Sequence, residues 1–203
     1  VYSVDQETTG QTELYSIPIA GPEGSWTKLN DTLPAGGDVS NLQISPDSTS
    51  GIYLADQTTN NILDAWTVPI DGGTPTKLRP FITLAGSTVY EFSETPISPD
   101  GERVAFRANF SDLDKYELWS ARVDGTGAVT RINGTMNAGG NVTRLLFSPD
   151  SSRVVYRADQ QSDEVFELYS VPSAGGSAVK LNGALTPGGD VGAYEISPDS
   201  SRV

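Results

Sequence analysis

The tripeptide Ser-Pro-Asp occurs four times in this chain, and its spacing constrains the fold more than any other feature. The copies begin at Ser45, Ser98, Ser148 and Ser197, so that successive prolines are 53, 50 and 49 residues apart. A fixed period of this size indicates a repeat architecture, in which one supersecondary unit of about 50 residues is copied along the chain.

The repeat extends well beyond the tripeptide. The segment RVVYRAD from Arg153 is echoed by RVAFRAN from Arg103, and ELYSVP from Glu167 is echoed by ELYSIP from Glu13. Five residues follow Pro198 and Pro46 is the forty-sixth residue, so counting from Pro198 through the end and on from Val1 to Pro46 gives 51 residues. The chain therefore holds a whole number of repeats.

Each repeat contains four short segments rich in β-branched and aromatic residues that alternate with period two, which predicts β-strands. In one repeat the predicted strands are 142–148, 153–158, 167–171 and 178–181, and the next repeat opens with 192–197. The Pro-Asp-Ser/Gly sequence suits a tight turn, because Pro presets φ and Asp bonds nearby backbone. No stretch keeps a 3.6-residue period over about ten residues, so no helix is predicted.

These patterns predict an all-β fold, a single domain over residues 1–203 that forms a β-propeller of four four-stranded antiparallel blades. Radial packing of such sheets buries both of their faces and protects most edges. A parallel β-helix fits less well, because its repeats are much shorter. Three arrangements stay open: a closed four-bladed ring, half of an eight-bladed ring completed by a homodimer, or a piece of a longer array.

The signature Ser-Pro-Asp-(Ser/Gly)-x-x-Val-x-(Tyr/Phe) resembles the TolB-like family of propeller repeats, which is related to the propellers of prolyl oligopeptidases. The resemblance covers the whole chain and implies that the strand before each Ser-Pro-Asp lines a central channel. It therefore places residues 39–44, 89–92, 142–147 and 191–196 innermost. Family members usually close rings of six to eight blades, whereas this chain has four repeats. Such repeats serve many functions, so the resemblance implies a fold more than an activity.

Charge and composition exclude several classes of function. The net charge of −13 argues against nucleic acid and anionic membrane surfaces, and it would attract a basic partner or a divalent cation. The chain has no Cys and no His, which excludes a disulfide framework, a Cys/His zinc site and a Ser-His-Asp arrangement. No apolar run approaches the roughly 20 residues of a membrane helix, so no membrane insertion is predicted. An acidic, Cys-free β protein of this kind is expected to be exported, to a bacterial periplasm, cell surface or exterior.

One candidate metal site comes from the Gly-Gly-Asp-Val element that precedes the predicted inner strands, with Asn in place of Asp at 139–142 and Ala-Gly-Ser-Thr in its place at 85–88. We expect four oxygen-bearing side chains to surround one mouth of the channel: Asp38, Ser87, Asn141 and Asp190. Carboxylate, amide and hydroxyl oxygens suit Ca²⁺, and two carboxylates among four positions predict weak binding. The alternative is that Gly-Gly makes a tight crossover and Asp bonds the local backbone.

A second candidate lies in the acidic turns between the second and third strands of each repeat. These turns comprise 5–10, 56–61, 109–114 and 159–164. Closely spaced carboxylates also suit Ca²⁺, but none matches the EF-hand spacing, and acidic turns equally keep exposed hairpins soluble. The aromatics at one equivalent third-strand position are predicted to form core: Tyr15, Trp66, Trp119 and Tyr169. Trp26 has no aromatic counterpart in the other repeats and is predicted to be exposed.

Two functions fit these observations. The first is a non-catalytic binding or scaffolding propeller that contacts a protein or small-molecule ligand, as a module of an exported or surface protein. The second is a gating or accessory propeller of a hydrolase or peptidase whose catalytic domain lies elsewhere. Without His, a catalytic base would have to be a carboxylate, a Lys or a metal-bound group, and no catalytic residue is predicted.

Overall fold

A computed structural model describes residues 1–79 and 84–203, and every element that it defines there is a β-strand. In chain order the strands are β1 (Tyr2–Val4), β2 (Glu13–Ser16), β3 (Thr27–Lys28), β4 (Val39–Ile44), β5 (Ser50–Ala55), β6 (Asp64–Pro69), β7 (Thr76–Lys77), β8 (Val89–Ile97), β9 (Arg103–Ala108), β10 (Glu117–Arg122), β11 (Thr130–Arg131), β12 (Val142–Phe147), β13 (Arg153–Ala158), β14 (Glu167–Pro172) and β15 (Val179–Lys180). In this part of the chain there is no helix that could span a membrane.

The strands form four antiparallel sheets, one for each repeat, with strands in sequence order within each sheet. Three sheets have four strands, namely β4–β7, β8–β11 and β12–β15. The fourth sheet, β1–β3, has three. This arrangement confirms the all-β propeller fold. In the described residues no strand precedes β1, and residues 191–196 belong to no sheet.

Strand boundaries follow the repeat closely in the sheet β12–β15. The strand β13 has the bounds predicted for it, and β14 extends one residue beyond its prediction, to Pro172. The predicted strand 192–197 is not a strand in this structure. A strand is defined by hydrogen bonds to a neighbouring strand, and residues 191–196 instead pack on the sheet β12–β15, where the N–H of Val191 donates to the carbonyl of Phe166 (2.8 Å).

Each Ser-Pro-Asp turn is closed by its own side chains. In the third copy, the hydroxyl of Ser148 donates to Asp150 Oδ1 (2.6 Å), and Ser148 Oγ accepts the N–H of Arg153 (3.0 Å). Ser151, the residue after Asp150, has φ of 62°, in the left-handed region that favours Gly. In the second copy Gly101 takes this position, with φ of 76°. The motif therefore encodes a turn that reverses the chain between the first and second strands.

Contacts divide the described residues into two compact units, one of residues 1–79 with 123–126 and the other of the rest. In the first unit, Leu14, Tyr53 and Val68 are at most 1% exposed and share one core cluster. In the second unit, the rings of Tyr156 and Tyr169 stack with centroids 5.3 Å apart. The predicted third-strand aromatic layer is confirmed, since all four of its members are buried.

Trp26 is exposed, as predicted. Its side chain is 39% exposed, but its ring meets the ring of Tyr15 edge-on, with centroids 5.1 Å apart. Tyr15 is fully buried as a result, although it lies in the three-stranded sheet. The residue that the repeat comparison marks as unique therefore covers a core aromatic.

Candidate functional site

The predicted site residues lie in equivalent loops, three of them just before the first strand of a sheet and the fourth, with Asp190, just before residues 191–196. In three of these loops the side-chain Oδ1 accepts the backbone N–H of the residue before the third strand of the preceding repeat. The pairs are Asp38 with Thr12 (2.7 Å), Asn141 with Tyr116 (2.8 Å) and Asp190 with Phe166 (2.7 Å). Three of the four predicted ligands thus each use one oxygen to tie successive repeats together.

The backbone of these loops is held from the other side by the first residue of the acidic turns. The contacts are Asp38 N–H to Asp56 Oδ1 (2.6 Å), Thr88 N–H to Asn109 Oδ1 (2.6 Å) and Asn141 N–H to Asp159 Oδ1 (2.5 Å). All three acceptors are 2–6% exposed, so their oxygens are committed to backbone donors. At these three positions, the acidic turns that were predicted as a second calcium site therefore supply hydrogen-bond acceptors for backbone N–H groups.

Ser87 differs from the other three predicted ligands. It is fully buried, and its hydroxyl donates to the carbonyl of Leu84 (2.6 Å). Asp38 and Asp190 are exposed, and each has a second carboxylate oxygen besides the one that accepts a backbone N–H. No group of three or more acidic, Cys or His residues that could hold a metal occurs in residues 1–79 and 84–203. Calcium binding at Asp38, Ser87, Asn141 and Asp190 stays a prediction.

The Gly-Gly pair supplies the shape of these loops. The first glycine of the pair has φ of 81° at Gly36, 87° at Gly139 and 75° at Gly188, a conformation that L side chains rarely adopt. The N–H of the second glycine then closes the turn, for example Gly189 onto the carbonyl of Thr186 (2.8 Å). The structure therefore contains the tight Gly-Gly crossover that the sequence analysis gave as the alternative to a metal site.

A set of buried charges, which the sequence analysis missed, begins the equivalent strand of every sheet, namely β2, β6, β10 and β14. The carboxylates are Glu13, Asp64, Glu117 and Glu167, all 2–5% exposed. Each pairs with a basic side chain of the fourth-strand segment: Lys28 with Glu13, Lys77 and Arg79 with Asp64, Arg131 with Glu117, and Lys180 with Glu167. The sequence does carry a signal for these pairs. Each repeat has an acidic residue before Leu or Ala in its third-strand segment and a Lys or Arg before Leu or Ile in its fourth-strand segment.

Two of these carboxylates also accept a hydroxyl from the core. Tyr15 donates to Glu13 and Tyr169 donates to Glu167, both at 2.9 Å. Burial by itself would raise the pKa of Glu167, but hydrogen bonds from Lys180 and Tyr169 outweigh it and hold that pKa below its ordinary value. Burial, and next the hydrogen bond to the carboxylate, raise the pKa of Tyr169. Glu167 therefore stays charged at neutral pH, and Tyr169 stays a neutral donor to it.

Comparison with known proteins identifies the fold. No protein-family model matches the sequence. No curated protein matches it either. Among solved structures, a protein assigned as TolB from Agrobacterium tumefaciens matches with a TM-score of 0.50 and 19% identity, over 87% of this chain and 56% of that one. A puromycin hydrolase matches with a TM-score of 0.56 and 19% identity, over 86% of this chain and 28% of that one.

A puromycin-hydrolysing peptidase from Mycobacterium tuberculosis also matches, with a TM-score of 0.55 and 16% identity over 90% of this chain. This chain spans about half of the TolB structure and under a third of either hydrolase. At such identities the likeness shows the fold alone. It confirms the β-propeller fold that the Ser-Pro-Asp repeats imply.

Proposed function

We propose that this chain is a non-catalytic binding or scaffolding propeller, a module of an exported or surface protein. The observation that carries the proposal is that the repeated polar residues hold the frame of the blades. Buried carboxylates pair with Lys or Arg, and the loop Asp and Asn side chains bind backbone N–H groups. What varies between repeats is the exposed part of the turn between the second and third strands, and variable loops on a rigid frame are where binding specificity usually lies.

The charge of the chain favours a cationic partner. The net charge is −13, and exposed acids such as Asp163 and Glu164 lie in one of the variable turns. A field of this sign raises the encounter rate with positively charged segments and repels acidic ones. The class of partner we propose is therefore a Lys- or Arg-rich protein segment.

Fluorescence anisotropy with labelled peptides tests this proposal. Lys- and Arg-rich peptides are expected to bind, and their affinity is expected to fall as salt rises from about 0.02 to 0.15 M, because surface charges are screened over about 8 Å at the higher value. Peptides of the same length with Asp and Glu in place of Lys and Arg are the matched control. Equal binding of both sets, or no binding of either, would contradict the proposed partner class.

A second function is an accessory propeller of a hydrolase. It is favoured by the match to two hydrolases of which this chain spans 28% and 29%. The purified chain is expected to hydrolyse no peptide or ester substrate under either function. Turnover that copurifies with the chain and is lost when one of its exposed turn carboxylates is replaced would refute the non-catalytic assignment.

A further inference from the structure

Two arginines of the sheet β12–β15 lie opposite each other on neighbouring strands. Arg144 of β12 is the direct cross-strand partner of Arg157 of β13, so the two side chains leave the sheet on the same face. Like charges in directly opposed positions destabilise a strand pair. In the sheet β8–β11 the equivalent of Arg157 is Arg107, and the residue opposite it, Glu91, has the opposite charge. The stability of the strand pair therefore does not explain the two arginines.

Hydrogen bonds that recur in the repeat hold Arg157 in place. Its Nε donates to the carbonyl of Val191, and Arg107 Nη1 likewise donates to the carbonyl of the equivalent residue, Val142 (3.0 Å). Arg157 Nη1 also donates to the hydroxyl of Thr143 (3.0 Å). None of these bonds uses Nη2 of Arg157, so the guanidinium is fixed and keeps N–H donors for a further acceptor.

Arg144 has no comparable role in the repeat. Its guanidinium lies over the ring of Tyr194, 5.0 Å from the centroid, and one of its nitrogens is 3.5 Å from a carboxylate oxygen of Glu195. The side chain of Glu195 is 86% exposed, so this surface ion pair contributes little to stability. Two other repeats have Asn41 and Ala193 at the position of Arg144, which shows that the fold does not require an arginine there.

The charges of both arginines act on one buried aromatic side chain. Tyr194 is 6% exposed and donates its hydroxyl to the carbonyl of Val155 (3.0 Å), which fixes its ring. Burial raises the pKa of Tyr194, and the positive charges of Arg144 and Arg157 both act to lower it. The guanidinium of Arg157 also lies over the ring of Phe166, 4.0 Å from the centroid. Aromatic rings thus support both arginines, which reduces the entropy that they lose when they bind a ligand.

We propose that Arg144 and Arg157 bind an oxyanion, the carboxylate or phosphate group of a ligand. A guanidinium group can donate two parallel N–H bonds to either group, and both arginines can bind the same anion. A bound anion also offsets the repulsion between the two positive charges. The net charge of −13 repels anions, so binding is expected to be weak. This site goes beyond the Lys- or Arg-rich partner proposed above, because it is positive whereas the variable turns are acidic.

Thermal melts in the presence of anions test the site. The probes are sodium phosphate and sodium acetate at millimolar concentration and about pH 7, each compared with sodium chloride at the same ionic strength. An anion that binds the native state raises the melting temperature, and we expect a rise above that in chloride with at least one of the two probes. The probe that gives the larger rise identifies the ligand group as phosphate or carboxylate. No rise with either probe would overturn the proposal.

Two variants that lose the same charge show whether the rise comes from this site. Arg144→Gln is expected to lower the affinity for the anion about tenfold and so to remove the rise. Arg122→Gln is the matched control and is expected to keep the rise, since Arg122 is 44% exposed and lies on β10 of another sheet. A rise of equal size in the native chain and in both variants is a general salt effect and would contradict the site.

Glu195→Gln tests the same site with both arginines in place. It removes the carboxylate that competes for Arg144, so the anion is expected to bind about twofold more tightly and the rise in melting temperature to increase. Isothermal titration calorimetry with the same anion measures the affinity. Weaker binding to Glu195→Gln than to the native chain would mean that the anion does not bind at Arg144.

Discussion

Replacing Lys180 by Met tests whether the buried ion pairs hold the blades together. Glu167 is 5% exposed and accepts hydrogen bonds from Lys180 and from the Tyr169 hydroxyl. Removing one partner of a buried ion pair typically costs about 3–5 kcal/mol, because the other charge stays buried without compensation. The Lys180 side chain is 30% exposed and Tyr169 still donates, so we expect a smaller loss, about 2 kcal/mol in the free energy of unfolding near neutral pH.

The pH dependence of this loss has a definite sign. In the native chain the pKa of Glu167 lies below its ordinary value of 4.5, so the pair stabilises the fold above that pH and the stabilisation fades as pH falls. In the variant, burial without the Lys180 ammonium would raise the pKa of Glu167, and the fold would lose stability as pH rises. The difference between the two proteins is therefore largest near about pH 7 and shrinks towards about pH 4.

Urea unfolding at both pH values measures the difference. Lys115→Met is the matched control, because Lys115 pairs with Asp112, whose side chain is 39% exposed, and a surface pair contributes little. The double variant Glu167→Met/Lys180→Met is expected to recover part of the loss, since no buried charge remains. Equal losses for Lys180→Met and Lys115→Met, or a loss independent of pH, would refute the reasoning.

Two further predictions concern the core and the loops. Tyr169→Ala is expected to lower the free energy of unfolding by about 3–5 kcal/mol, because it empties a buried aromatic position. Trp26→Ala is expected to lower it by about 1 kcal/mol, the range of one aromatic pair at a partly exposed site. Equal shifts of the urea midpoint for the two variants would contradict this. The double variant Asp38→Asn/Asp190→Asn keeps an Oδ1 acceptor, as Asn141 shows, so its melting temperature without calcium should match the native value. Millimolar calcium is expected to raise the melting temperature of the native chain alone, and an equal or absent shift in both would exclude the predicted calcium site.

The parts of the fold that depend on local pattern could be predicted from the sequence. Alternation with period two places β13 and β14, and the Ser-Pro-Asp motif places the turns, because both depend on residues adjacent in the chain. The register shift between Val142 and Arg144 in the β12–β13 pair recurs between Val89 and Glu91 in the β8–β9 pair, but alternation with period two does not mark it in the sequence. Whether residues 191–196 pair as a strand depends on a neighbouring strand, and the repeat pattern does not show whether that strand is present.

The sequence predicted where the candidate site residues lie, but not what their side chains do. The repeat places Asp38, Asn141 and Asp190 in equivalent loops, and the structure agrees. Their use as acceptors for backbone N–H groups could be foreseen only as an alternative, because the donors lie 24–26 residues away in sequence. The buried carboxylates such as Glu167 were missed for a related reason. In the sequence alone, a charged residue beside an apolar run indicates the end of a strand. Its role in a buried ion pair can be recognised only when its partner on another strand is known.

Hydrogen exchange resolved along the chain tests the central claim, the array of sheets in repeat register, most directly. The second and third strands are the middle strands in three of the four sheets, so β5 and β6, β9 and β10, and β13 and β14 are expected to exchange slowest. Protection should therefore rise and fall with a period of about 50 residues, with fast exchange at each Ser-Pro-Asp turn. Protection without that period, or slow exchange concentrated in the turns, would contradict the propeller architecture.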